Sequence, residues 1–148
     1  MKIRISHPYI IRMIGGAYMK CEICNKEIKG FTNNAYPLKD GVCCDECNEK
    51  LVVPTRLFLA GCLSNNILIL KSDDSVELRW VEGELSLKEV QEIVEGYIEL
   101  VPIKNDKFFF IVNEEGLLKG LEVNELARQM FGLDVVGNLI VCPKHLCE

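Results

Sequence analysis

The chain has 148 residues, 49% of them apolar, enough for one ordinary core and a small stapled module. No apolar stretch approaches the roughly 18 residues of a membrane span. The formal charge of −5 divides unevenly: residues 1–60 carry nine Lys/Arg against six Asp/Glu, whereas residues 61–148 carry eight against sixteen. A mildly basic first part is thus tethered to an acidic second part, which excludes a uniformly basic nucleic-acid binder.

Residues 1–18 show no clear period. Pro8 and Arg12 break their apolar run before it reaches the roughly 7 to 15 residues of a signal h-region. The segment reads as a disordered tail or as the product of a mis-set start, because Met19-Lys20-Cys21 opens the next module directly.

That module, residues 19–58, carries Cys21-x2-Cys24, nineteen intervening residues and Cys44-x2-Cys47. A Cys-x2-Cys knuckle lets two thiolates converge on one ion, and two knuckles complete a tetrahedron, the pattern of a structural Zn2+ site. Four protein ligands leave no open coordination position, so the predicted zinc is structural and not hydrolytic. Cys43 offers an x3 alternative to Cys44, but x2 suits the start of a helix better. That helix is predicted over Asp45–Val53, with Pro54 as its stop. With turn formers at Asn25, Gly30, Asn33-Asn34, Pro37 and Asp40-Gly41, the order of knuckle, hairpin and helix predicts a small treble-clef-like finger. Eight cysteines also admit a disulfide framework, but only in an exported chain.

Residues 59–66 read as a linker to an acidic α+β domain at 67–148. Ile67–Leu70 is a short apolar run, and Ser75–Val81 alternates Val76, Leu78 and Trp80 with Glu77 and Arg79, predicting a hairpin. Ser86-x-x-Glu89 is a capping box ahead of a helical face of Leu87, Val90, Ile93 and Val94, stopped by Gly96. Strands follow at Tyr97–Ile103 and Phe108–Val112. A helix capped by Asn124 and stopped by Gly132 comes next, then a strand at Val135–Val141. The order β-β-α-β-β-α-β predicts one sheet with two helices.

Within it, Leu87, Gln91, Val94, Gly96, Tyr97, Ile98 and Glu99, then Asn113, Glu114, Glu115, Gly116, Leu121 and Asn124, form a pattern over about residues 67–141. This pattern resembles an uncharacterised domain family of bacteriophages and of bacteria carrying related mobile elements. The run Cys-Cys-Asp-Glu-Cys-Asn at 43–48 separately resembles a zinc-binding segment of phage and Firmicute proteins. Both resemblances imply a phage or prophage origin and a cytoplasmic location in a bacterial host; neither implies an activity.

Tyr97 and Glu99 on one strand, and Asn113, Glu114 and Glu115 at the following turn, are the candidate binding surface, set against a plain strand start and a surface turn with a required glycine. Trp80 reads as a core or edge anchor. Cys62, Cys142, His145 and Cys147 have the ligand types for a second metal site, with buried or free thiols as the alternative. His7 and His145 are the only histidines, and no glycine-rich phosphate loop occurs, so no catalytic residues are assigned and an enzyme is not expected. The favoured reading is a zinc-containing protein-interaction module. Its alternatives are nucleic-acid binding through residues 19–58, and an anti-defence decoy whose acidic domain mimics DNA or sequesters a small molecule. The oligomeric state is left open.

Overall fold

The computed structural model describes residues 19–102 and 105–147; the expectation for residues 1–18 lies outside them. The chain divides into two compact units between Pro54 and Thr55, ahead of the linker expected at 59–66. It is a mixed α/β protein with one larger sheet, few helices and an upstream four-cysteine cluster.

In the first unit, β1 (Met19–Lys20) pairs antiparallel with β2 (Glu27–Ile28), and β3 (Asn33–Asn34) with β4 (Val42–Cys43). Their loops are tight. Between β1 and β2 the Asn25 amide donates to the Cys21 carbonyl at 2.8 Å, with Asn25 at φ 65°, a left-handed conformation that asparagine tolerates. Directly after β4, Cys44 caps α1 (Asp45–Cys47), which continues as a π-helical turn (Asn48–Val52) and then α2 (Val53–Leu59). The expected stop at Pro54 is therefore corrected. Pro54 is the second residue of α2, just past the wide π turn, where a missing amide donor costs little, and the helical path continues to Leu59. Among the described residues of this unit the buried apolar ones are few and mostly small: Ile28, Ala35, Leu38, Val42, Cys43 and Val52 beside Cys21 and Cys47.

In the second unit, β5 (Asn66–Leu70) and β6 (Val76–Trp80) form a hairpin. Its turn holds Asp74 at φ 70°, and Asp73 Oδ1 accepts from the Ser75 amide at 2.9 Å. The Ser86 hydroxyl accepts from the Glu89 amide at the start of α3 (Leu87–Val94). The left-handed residue that ends α3 is Glu95 (φ 64°), not the expected Gly96. Then come β7 (Ile98–Leu100), β8 (Phe108–Asn113), α4 (Glu125–Phe131), β9 (Leu139–Pro143) and α5 (Lys144–Cys147).

The five strands lie in the order β6-β5-β9-β8-β7, every pair antiparallel. Leu68, Leu70, Phe110, Leu139 and Val141 pack on one face with Phe58 of α2 and Leu126 and Ala127 of α4. Ile67, Ile69, Ile111, Ile140 and Cys142 pack on the other with Val90, Ile93 and Val94 of α3 and Leu146 of α5. Burial on both faces explains why Ile67–Leu70 is uniformly apolar and does not alternate.

On the outer strand β6, Trp80 is 60% exposed, not a core anchor. Beside it, Arg79 Nε donates to Glu77 at 2.8 Å, and Lys71 Nζ lies 3.6 Å from the other carboxylate oxygen. The Arg79 hydrogen bond outweighs burial and holds the Glu77 carboxyl below its usual range. A depressed folded pKa adds stability that is present above the unfolded value and lost as pH falls through the folded one. Arg79→Ala is expected to raise the Glu77 midpoint in an NMR pH titration, at a stability cost below about 1 kcal/mol because the pair is partly solvated.

Candidate functional site

The Sγ atoms of Cys21, Cys24, Cys44 and Cys47 all lie within 4.8 Å of one another, with Cys24 and Cys44 Sγ 3.8 Å apart. Each pair is held by its backbone. The amides of Ile23 and Cys24 donate to Cys21 Sγ at 3.4 Å, and the Cys47 amide donates to Cys44 Sγ at 3.5 Å, so the β1–β2 knuckle and the start of α1 aim sulfurs at a common point. Cys43 lies in β4, fully buried and outside the cluster, which leaves Cys44 as the fourth member. Asn33 Nδ2 donates to Asp45 Oδ1 at 2.8 Å, tying β3 to the first turn of α1.

Four thiols this close cannot all ionise without a cation. Burial opposes ionisation of Cys21, but amide groups of Cys24, Cys44 and Ile23 outweigh it and bring the thiol down from 9.0 to about 7. Burial, reinforced by the neighbouring Cys44, Cys24 and Cys21, pushes the Cys47 thiol up. The Lys26 amide favours the Cys24 thiolate, but burial and the sulfurs of Cys21 and Cys44 together override it and raise the thiol. A divalent ion inverts this balance by stabilising all four thiolates. The donor set fits a thiophilic metal ion.

The residues considered for a second metal site do not gather. Cys142 is paired with Cys147 as a disulfide across α5, Cys62 and His145 are exposed, and the only metal-capable group among the described residues is the four-cysteine cluster. The signal missed in the sequence is Leu146: once buried, it turns Cys147 back toward the end of β9. No helix among the described residues is long and apolar enough to cross a membrane.

Residues 65–145, more than half of the chain, match DUF3846, a domain of unknown function. The chain belongs to the DUF3846 family. Comparisons with curated proteins and with solved structures find no match.

Within the DUF3846 domain the five candidate surface residues separate. Tyr97, Glu99 and Glu114 are exposed and Glu115 is half-buried, with its carboxylate 3.8 Å from Lys119 Nζ. Asn113 instead points inward: its Oδ1 accepts from the Glu115 amide at 2.8 Å, and its Nδ2 donates to the carbonyls of Val94 and Glu95 at 3.0 and 3.2 Å. It closes the end of α3, and Gly96 makes room, since a Cβ there would lie 2.6 Å from Asn113 Nδ2.

Two clefts of the DUF3846 domain flank β7. On one face Ile98 and Leu100 line an apolar hollow of about 340 Å3 with Leu85, Leu87 and Phe109. On the other, Glu99 borders a hollow of about 130 Å3 with Glu114, Asp134 and Leu117. Next to it, the turn after Asn113 presents Leu117 and Leu118 at 83% and 89% exposure. These leucines carried no periodic signal in the sequence, because they belong to a turn and not to an amphipathic element.

Proposed function

We propose that the four cysteines hold one structural zinc ion in a treble-clef-like finger, and that the chain is a non-enzymatic protein-interaction module. The observation that carries the metal reading is the convergence of four sulfurs from two backbone knuckles, a closed all-thiolate set. The interaction reading is supported by the large apolar side chains that the DUF3846 domain leaves in solvent, among them Leu87, Tyr97, Leu100, Leu117 and Leu118. The resemblance to phage and prophage domains supports an origin in a phage or mobile element and work in the cytoplasm of the bacterial host; the Cys142–Cys147 disulfide weighs against that location, since thiols are kept reduced there.

Charge weighs against nucleic acid. Residues 19–54 carry five Lys and no Arg against six Asp/Glu, and four thiolates around a divalent ion add about two further negative charges. The positive balance of the first 60 residues thus comes from Lys2, Arg4, Arg12 and Arg56, not from the finger itself. Phosphate binding lacks its electrostatic drive there.

Elemental analysis of protein purified without added metal tests the centre: one zinc per chain is expected. Two would return Cys62, Cys142, His145 and Cys147 to consideration as ligands. None, in freshly reduced protein, would overturn the metal reading.

A further inference from the structure

We propose that β7 is a docking strand for an extended peptide whose side chains alternate between apolar and basic. The proposal deepens the protein-interaction reading and rests on it. Among the described residues β7 is the last strand of the sheet, bonded on one side only. In its pairing with β8, the Tyr97 carbonyl accepts from the Glu114 amide, Val101 donates to the Phe110 carbonyl, and Glu99 faces Val112. Antiparallel pairing alternates, so the N–H and C=O groups of the intervening Ile98 and Leu100 point away from β8, to the open edge. Among the described residues nothing pairs with them there. Such a row of groups is a template for an added strand; β7 itself contains neither lysine nor proline, and the row is short, ending at Pro102, which has no amide to donate.

Side-chain chemistry defines the occupant. Ile98 and Leu100 face the apolar hollow, where Leu87 and Leu100 are more than half exposed. Glu99 faces the opposite hollow with Glu114 and Asp134. Asp134 is already bonded to Arg128 at 3.0 Å, whereas no described cation pairs with Glu99 or Glu114. An added strand keeps the same period of two, placing alternate side chains beside Ile98 and Leu100 and the others beside the carboxylates. Apolar residues at the first set and Lys or Arg at the second complement both surfaces. An acidic partner would meet like charge on the second.

The test uses the full metal-loaded chain and a labelled, end-blocked Lys-Ile-Lys-Ile-Lys-Ile peptide, read by fluorescence anisotropy and amide shifts. Binding that weakens with salt and shifts Ile98–Leu100 is expected, with no binding of the Glu-Ile counterpart. Leu100→Pro removes an outward donor while leaving the β7–β8 ladder intact, a substitution that edge strands tolerate, and should weaken binding about tenfold. A charge-reversed E99K/E114K chain, which alters only exposed side chains, should reverse the preference between the two peptides. Unchanged affinity in a folded L100P chain, equal binding of both peptides, no binding at all, or shifts confined elsewhere would overturn the assignment. No peptide binding, together with a lysate protein retained equally by wild type and L100P, would overturn the docking strand yet leave the protein-interaction reading intact.

Discussion

Replacing Cys24 with serine, or removing the metal with a chelator, is expected to unfold residues 19–54 while the DUF3846 domain keeps its sheet. Among its described residues the first unit has only two-residue strands and a handful of small buried side chains, and that described length is below the about 40 residues at which a core alone suffices. Structural zinc supplies an apparent 10 to 16 kcal/mol, roughly, in small modules of this type, far more than that core can replace. In an NMR spectrum the amides of Met19–Val53 should collapse toward random-coil positions while those of Ile67–Leu70 stay dispersed. Acid should do the same. Metal binding requires deprotonated sulfurs, and the raised thiols of Cys24 and Cys47 mean that the metal-free cluster still holds protons at neutral pH. The stabilisation is therefore present at neutral pH and lost as pH falls, and zinc uptake should release protons measurable with an indicator dye. Cys62→Ser, on an exposed thiol outside the cluster, should change none of this.

Asn124→Ala should cost the DUF3846 domain about 3 kcal/mol or more, a fall of about 12 °C or more in Tm for a domain of this size. Asn124 has no exposed surface and uses every part of its amide. Its Oδ1 caps α4 at the Ala127 amide at 2.9 Å, and its Nδ2 donates at 2.8 Å to the carbonyls of both Leu70 and Gly137. Alanine loses the cap and strands two carbonyls away from water. Asn124→Asp keeps the cap but sets a carboxylate oxygen against both carbonyls, so it should rescue little. Thermal unfolding of the two variants separates the contributions: near-equal losses would assign most of the effect to the bonds with Leu70 and Gly137.

Local chemistry was legible in the sequence. The Cys-x2-Cys pairs, the Ser86 cap and the caps at Asn124 and Gly132 depend on residues a few positions apart, and each appears in the structure where its spacing puts it; of the expected box, the bond from the Glu89 amide to the Ser86 hydroxyl forms. What depends on distant partners was not. Asn113 looked like one more polar turn residue, because the helix end it closes lies at Val94 and Glu95. The last strand was expected at Val135–Val141 but lies at Leu139–Pro143. Val135 and Val136 fall in the preceding segment, where the Val135 carbonyl accepts from the Asn124 amide and Val136 bridges Val123. Cys142 and Cys147 read as potential ligands because the fold-back of α5 depends on Leu146 burying itself among the distant Val90, Ile93 and Ile111.

The strand made last among the five sits in the middle of the sheet. β5–β6 and β7–β8 are hairpins between neighbours in sequence, but they join only when β9 inserts, with Leu68 opposite Val141 and Ile111 opposite Ile140. Until then each hairpin has an inner edge of unpaired backbone and a bare apolar face. A chain emerging from the ribosome therefore cannot complete this sheet step by step; it must wait for Leu139–Pro143, and during that interval the exposed edges are open to wrong partners, including other copies of the chain.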